Sequence, residues 1–440
     1  MTHGTLWNKI LLFALPLAAS SILQQLFNSV DTAVVGRFAS SRALAAVGST
    51  SSFISLMINL FIGISLGSNV VIAHYIGQKV EKNIQAAIHT AITVALIGGC
   101  FVMILGQFIG RPVLILMGTP EDVIDLAVQY LRIYFLGMPF ILLYDFGSSI
   151  LRSTGDSRRP LYSLIVAGIL NTVLNLILVI VFQMGVAGVA IATVVSNIVS
   201  SGIVMWILMH EPEPVRFTPR KLMINGKELW KILSIGVPAG LQGMVFSLAN
   251  VCIQSTINSF GSDAVAGSAA ALNYEFFAYF IVNAFAQTTV TFTSQNYGAG
   301  EYDRCRKIFR INMTFSMVFC GLLSAVFVLG RSFFLGLYTT DASVLEYATT
   351  RLVIATTLEL LTSTYEISGG AMRGLGHSLQ PALITVFGSC VLRLIWISTA
   401  CVAVHEFWVL IIIYPISWVV TGIIMIISYL RLRKKMLIKN

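Results

Sequence analysis

Residues 144–160 read YDFGSSILRSTGDSRRP, and residues 365–381, which begin 221 positions later, read YEISGGAMRGLGHSLQP. Both segments place a Tyr, an acid, an Arg, a Gly, a Ser and a Pro at the same spacing. Pro16 and Pro238 show a similar correspondence, at an offset of 222 residues. Because each offset is about half of the 440-residue chain, the pattern indicates two copies of one unit.

The composition excludes a water-soluble globular protein. Hydrophobic residues make up 56% of the chain and charged residues only 11%, against roughly 25% charged residues in a soluble domain. Because an α-helix crosses a membrane in roughly 20 residues, we predict an all-α integral membrane protein with twelve transmembrane helices in two six-helix bundles. The twelve apolar runs lie at about 10–35, 49–73, 86–109, 128–151, 160–182, 186–209, 232–258, 268–293, 309–336, 346–372, 382–404 and 407–430.

The distribution of positive charge predicts the topology. The net charge of +9 would suit nucleic-acid binding, but most Lys and Arg residues lie at the N-terminus, in alternate loops and in the C-terminal tail. Because cytoplasmic loops are enriched in Lys and Arg, we expect both termini in the cytoplasm and no nucleic-acid partner. Each half has an even number of spans, so a pseudo-two-fold axis along the membrane normal is expected to relate the two bundles.

The main polar interruption defines the expected domains. We predict an N-terminal lobe at 1–209, a cytoplasmic linker at 210–231 that acts as a tether, and a C-terminal lobe at 232–440. Rocking of one lobe against the other would open a central cavity alternately to each side of the bilayer. Two lobes in one chain are sufficient to form such a cavity, so we expect a monomer.

Motifs of enzymes are absent from the sequence. It contains no Walker motif, Gly-rich phosphate loop, HExxH or nucleophile elbow. Its six cysteines show no metal-binding spacing. The sequence therefore predicts neither an enzyme nor a bound cofactor.

A few polar residues are predicted to share one layer of the N-terminal lobe. Asp31, Asn175 and Thr193 lie about five to seven residues from the outer ends of their spans, or roughly 8–11 Å deep, and Asn171 lies one turn from Asn175. We expect a polar pocket with Asp31 as its only carboxylate. A buried carboxylate binds a proton tightly, whereas a nearby cation favours its charged form, so Asp31 could exchange a proton for a cation. The alternative is a set of hydrogen bonds that only holds the helices together.

The second half carries its ionisable residues at other positions. Glu359 and Glu366 lie seven residues apart on span 10, Arg393 lies in the middle of span 11, and Glu275 lies in the outer part of span 8. An ionisable group at the centre of a span costs about 2.5–3.5 kcal/mol on insertion scales, so a partner is expected. We predict an Arg393–Glu359 charge pair, with contact to substrate or protons as the alternative. Glu275 either faces a cavity or has no special role.

Two further features have structural and functional interpretations. Pro16 and Pro238 lie in corresponding spans, where a proline either fixes a static kink or, at Pro16, lets the helix bend when Asp31 changes charge. In the doubled signature Arg-x-x-Gly-x-Ser-x-x-Pro, we expect Gly to end a helix, Pro to begin the next one and Arg to anchor at the headgroups, with a role in gating as the alternative.

One set of motifs is spread over essentially the whole chain and comprises Pro16, Gln24–Gln25, Asp31–Gly36, Ala43–Gly48, Gly185–Gly188 and the doubled signature. These motifs resemble those of the multidrug and toxic compound extrusion (MATE) family. If the resemblance holds, it implies two lobes around a central cavity, with Asp31 as the acid that couples ion and substrate transport and Pro16 as the point where the helix bends. The family motif Asn-x-x-x-Asp on span 5 matches Asn171, and its Asp is replaced here by Asn175. With no carboxylate on span 7, the chain is more similar to the DinF-like branch.

The resemblance also implies a function. The implied protein is a multi-pass antiporter of the bacterial plasma (inner) membrane, which expels cationic or amphipathic small molecules in exchange for H⁺ or Na⁺. A Na⁺ site would consist of Asp31, Asn171, Asn175 and Thr193. A flippase for lipid-linked saccharides is an alternative, although it would need a basic cavity. A channel or a scaffold without transport activity is another.

Overall fold

The apolar runs form long α-helices, since backbone groups in lipid can find hydrogen-bond partners only within their own segment. The computed structural model describes residues 1–438, and this range contains no β-strand. The all-α class is confirmed. The helices are α1 (Leu6–Phe38), α2 (Ser41–Gln78), α3 (Glu81–Leu116), α4 (Glu121–Leu136), α5 (Met138–Thr154), α6 (Arg158–Asn175), α7 (Gly185–Met209), α8 (Gly226–Asn258), α9 (Ser262–Gly298), α10 (Tyr302–Leu329), α11 (Arg331–Gly336), α12 (Ala342–Arg351), α13 (Thr362–Gly374), α14 (Leu379–Thr385), α15 (Leu392–Ala403), α16 (Phe407–Ile411) and α17 (Ile413–Ile438).

Two of the twelve predicted spans are not continuous helices. Ten helical stretches in the described range are long and apolar enough to cross a membrane, when α14 and α15 are joined through the π-helix Val386–Val391 and α16 is joined to α17. The helices α4 and α5 together make an eleventh stretch, which bends by 48°. The remaining predicted span, 346–372, consists of α12, a π-helix at Leu352–Thr356, a 3₁₀-helix at Glu359–Leu361 and α13. The hydroxyl of Thr362 donates to the carbonyl of Glu359 (2.6 Å) where the 3₁₀ segment passes into α13.

The chain forms two compact units. One comprises residues 19–240, and the other comprises residues 1–18 together with 241–440. The boundaries fall inside α1 and α8, two residues after Pro16 and two residues after Pro238. The predicted lobes at 1–209 and 232–440 therefore have different limits from these units, and the lobes remain a prediction.

Each unit holds a half-helix from a distant part of the sequence. In the unit with residues 241–440, the start of α1 packs into an apolar cluster with α9 and α10, where the rings of Phe13 and Phe292 meet edge to face at 5.5 Å. In the unit with residues 19–240, the start of α8 lies against α2 without side chains between the backbones. A Cβ atom on Gly236 would lie only 2.5 Å from the Cα atom of Ile64.

The segment predicted to be a cytoplasmic linker is hydrogen-bonded to α3, and its role as a linker remains a prediction. The side-chain amide of Gln85 donates to the carbonyl of Pro214 (2.7 Å). The imidazole of His89 accepts from the backbone N–H of Thr218 (3.2 Å). Residues 210–231 thus pack within the unit 19–240 rather than extending freely into solvent.

Candidate functional site

Three helices bring the predicted polar residues into one hydrogen-bonded chain. The side-chain amide of Asn175 donates to the carboxylate of Asp31 on α1. It also donates to the side-chain oxygen of Asn171 (3.1 Å), whose own amide donates to the hydroxyl of Thr193 on α7 (3.5 Å). The structure therefore joins all four residues named from the sequence, and their function remains a prediction.

The local helix geometry explains this arrangement. Asn171 and Asn175 are four residues apart on α6, so their side chains lie on the same face. Immediately after Asn175, the helix widens into a π-helix at Leu176–Val181. Single π-turns within α-helices are frequent at functional sites, because they change which side chains point to one face.

One polar atom at this site has no partner. Asn175 is fully buried, and its side-chain oxygen has no hydrogen-bond donor among the described residues. Leaving a buried acceptor unsatisfied costs about 1–3 kcal/mol. A protonated carboxyl group or a bound cation would satisfy it, and either fits beside Asp31.

The donor set fits a hard monovalent cation better than a transition metal. It offers one carboxylate, amide oxygens and a hydroxyl, whereas transition metals favour imidazole and thiolate ligands. Within residues 1–438 there is no group of three or more His, Cys, Asp or Glu side chains that could hold a metal ion. With only one carboxylate at this point, a Na⁺ ion would be held weakly.

The hydrogen-bonded chain borders a cavity of about 300 Å³ inside the unit 19–240. Asp31, Asn171 and Thr193 line it, and so do the aromatic rings of Phe27, Tyr134 and Tyr144. The described lining contains no Lys, Arg or His side chain. Its electrostatic character is therefore acidic.

The expectation of a single carboxylate in this pocket is wrong. Asp145 on α5 also lines the cavity. In the sequence, this residue stands out only as a member of the repeat. Its position inside the predicted fourth span is the signal that could have identified it, because an ionisable group within a span requires an explanation.

Comparisons with known proteins agree with the geometry. A protein-family profile described as MatE matches residues 16–177 and 238–397. The chain belongs to the MatE family. The DinF-like branch stays a prediction.

Relatives and solved structures of MatE proteins resemble the chain over most of its length. The probable multidrug resistance protein YoeA of Bacillus subtilis is 31% identical over 87% of this chain and 84% of its own. The FAD transporter of Shewanella oneidensis is 27% identical over 73% of this chain and 72% of its own. A solved structure of a multidrug resistance MATE family transporter of the MOP superfamily, in an outward-facing conformation, has a TM-score of 0.91 at 23% identity and covers 99% of this chain and 97% of that one.

In the second half of this MatE protein, a different charge pair forms from the one expected. Arg351 on α12 donates to both carboxylate oxygens of Glu275 on α9, at 2.6 and 2.9 Å, and to the hydroxyl of Ser268 at 2.6 Å. All three residues are buried. The sequence pattern assigns Glu275 no partner and does not single out Arg351, so this pair was missed.

The predicted Arg393–Glu359 ion pair is absent from the described residues. Arg393 instead donates to the hydroxyl of Ser417 (3.0 Å), and its guanidinium lies 4.6 Å from the ring centre of Tyr414 and 5.3 Å from that of Phe246. Aromatic faces attract a desolvated cation and replace the expected acid. Glu359 is buried where the 3₁₀ segment begins.

The doubled signature is partly confirmed. Gly155 ends α5 with φ at 102°, and Gly376 adopts φ at 85° just after α13, so both occupy the left-handed region that favours glycine. Headgroup anchoring is wrong for Arg373, which is buried and donates to the side-chain oxygen of Gln242 (2.7 Å). Glu366 accepts a hydrogen bond from the hydroxyl of Tyr279 (3.2 Å).

Proposed function

We propose that this protein is a secondary active antiporter of the bacterial inner membrane, with both termini in the cytoplasm. It would export cationic or amphipathic compounds in exchange for H⁺ or Na⁺, by alternating access and as a monomer. The observation that carries the proposal is the position of Asp31. A carboxylate within a predicted span lines a cavity and is hydrogen-bonded to Asn175.

The amide of Asn175 can serve both protonation states of Asp31. In the arrangement described above, its N–H group donates to the carboxylate. After rotation of the amide by a half turn, its oxygen would accept from a protonated carboxyl group, which satisfies the atom that now has no partner. This rotation gives up the hydrogen bonds to the carboxylate and to Asn171 for the new one, and protonation removes the negative charge of Asp31 from the cavity.

Loss of that charge would weaken cation binding. By linkage, the proton and the exported cation must lower each other's affinity by the same factor. In this proposal, Pro16 lets α1 bend in response. The boundary between the compact units falls two residues beyond that proline, which supports a hinge there.

The lining favours cations as substrates. Carboxylates attract positive charge, and the rings of Phe27, Tyr134 and Tyr144 can contact a flat or quaternary cation. FAD, named as the cargo of one relative, carries a negatively charged pyrophosphate, and the described lining provides no basic side chain to bind it. The same argument disfavours a lipid-linked saccharide with a pyrophosphate group.

Transport in proteoliposomes tests the proposal. Efflux of a fluorescent cationic dye would be driven by an imposed H⁺ gradient and, separately, by a Na⁺ gradient. We expect Asp31→Asn to abolish gradient-driven efflux. The matched control is Asp122→Asn, which removes an exposed carboxylate that lies 3.6 Å from Arg42, and it should leave efflux unchanged. Full ion-coupled efflux by Asp31→Asn would contradict the mechanism, and unitary currents without uphill flux would indicate a channel.

A further inference from the structure

The second carboxylate of the cavity is not used by the mechanism above. Asp145 is half-buried and lines the cavity, yet it forms no hydrogen bond or ion pair with the described residues. Arg152 attracts it electrostatically from seven residues further along the chain, but that arginine is not part of the cavity lining. The side chain is therefore available to a ligand.

The internal repeat explains why Asp145 is available. Its counterpart 221 residues later is Glu366, which accepts a hydrogen bond from the hydroxyl of Tyr279 (3.2 Å). The residue 221 positions before Tyr279 is Ile58, which lines the cavity and has no polar atom in its side chain. The acid of the second half thus has a hydroxyl partner, whereas the corresponding position in the first half offers Asp145 no polar side chain.

The two carboxylates are held by different helices and in different ways. Asp31 lies on α1 and is bound by the amide of Asn175, whereas Asp145 lies on α5. Both acids line the cavity together with the aromatic ring of Tyr134. Two carboxylates on separate helices beside an aromatic ring match a ligand with two cationic centres and an apolar spacer.

Charge balance points to the same ligand. A monocation beside Asp31 leaves the second carboxylate without a positive charge inside the cavity, because the described lining has no basic side chain and Arg152 lies outside it. A dication neutralises both. The Coulomb attraction between a second ammonium group and the second carboxylate is strong at the low effective dielectric constant of a cavity, so this contact is expected to raise affinity about tenfold or more.

We propose that Asp145 is a second cation-recognition residue that makes the cavity selective for compact dicationic amphiphiles over monocations of the same shape. This inference rests on the proposed export of cations. A cavity of about 300 Å³ lies at the lower end of the range for small-molecule sites, so a short aromatic or alkyl spacer is expected.

A pair of isosteric ligands tests this proposal. The dication is p-xylylene-bis(trimethylammonium), and the matched monocation carries C(CH₃)₃ in place of one N⁺(CH₃)₃ group. Their dissociation constants would be measured by titration calorimetry on the purified full-length chain in nanodiscs. We expect the wild-type protein to bind the dication at least about tenfold more tightly.

Variants of Asp145 assign the preference to this residue. Asp145→Asn should weaken dication binding about tenfold while changing monocation binding less than threefold, and Asp145→Glu should retain most of the preference. Asp125→Asn, which removes an acid whose side chain is 79% exposed and paired with Arg111, is the control and should change neither constant.

The outcomes separate this inference from the proposed function. Equal affinity of the wild-type protein for both ligands would overturn the selectivity, even if Asp145→Asn failed to fold. If Asp145→Asn lowered the affinity for both ligands equally, the residue would have a structural role, such as balancing the charge of Arg152. That result would also overturn the proposed selectivity. If the monocation neither binds nor is transported, and Asp31→Asn changes nothing, the proposed function itself fails.

Discussion

Removal of Glu275 should destabilise the protein strongly. Arg351 makes three hydrogen bonds of 2.6, 2.9 and 2.6 Å, two of them to this carboxylate, and the side chains of Arg351 and Glu275 are only 2% and 8% exposed. Breaking a buried pair by removing one partner typically costs about 3–5 kcal/mol, because the other charge remains buried without compensation. Glu275→Ala leaves the guanidinium with the hydroxyl of Ser268 and the ring of Tyr414, which lies 5.2 Å away.

The magnitude can be measured by thermal unfolding in detergent, followed by intrinsic tryptophan fluorescence. For a cooperative unit of about 200 residues, each kcal/mol corresponds to about 2–4 °C, so the midpoint should fall by about 6–20 °C. The double variant Glu275→Leu with Arg351→Met removes both charges and should recover at least half of the loss.

An exposed ion pair provides the control for this experiment. Arg111 and Asp125 lie 3.0 Å apart with side chains 54% and 79% exposed, and exposed pairs contribute little to stability. Asp125→Asn should therefore shift the midpoint only slightly. If Glu275→Ala shifts it no further than this control, or if the double variant is as unstable as the single one, the assignment of stability to the buried pair is wrong.

Three more substitutions have defined expectations. Gly236→Ala should lower the free energy of unfolding by about 1–3 kcal/mol, since its Cβ atom would lie 2.5 Å from the Cα atom of Ile64. Gly202→Ala is the control and should be tolerated, because its Cβ atom would have no other atom within 4 Å. Denaturant titration compares the two variants, and equal unfolding midpoints would contradict the packing argument. Asn175→Asp adds a carboxylate to the polar chain and should increase the Na⁺ dependence of dye efflux, and unchanged Na⁺ titration curves would argue against an ion site there. Pro16→Ala should slow gradient-driven efflux without weakening cation binding, and unchanged turnover would exclude a hinge at this position.

The sequence is sufficient to place the polar chain of the first half. Counting residues from the ends of predicted spans gives depth at 1.5 Å per residue, and the four-residue spacing of Asn171 and Asn175 gives a shared face. Both quantities are local, so they can be obtained without knowing how the helices pack. They group Asp31 with the two amides and Thr193, and hydrogen bonds join these same residues in the folded chain.

Pairing in the second half could not be predicted in the same way. Depth alone does not show how far a helix is rotated about its axis, and this rotation decides whether Glu275 faces Arg351 or another basic residue. The interruption between α12 and α13 adds to the difficulty. A π-helix and a 3₁₀-helix in succession change the direction of the side chains that follow, including that of Glu359, and helical periodicity does not continue through them.

The two halves use a repeated framework for different electrostatic purposes. In the second half, two of the acids have partners within the protein itself, since Glu275 binds Arg351 and Glu366 accepts from Tyr279. In the first half, the equivalent acid Asp145 faces a cavity whose described lining includes no basic side chain. A carboxylate within a membrane span is costly, and a cation bound in the cavity would compensate part of that cost. The same argument applies to Asp31, so in the proposed mechanism the unit 19–240 is the part of the chain in which substrate and coupling ion compete.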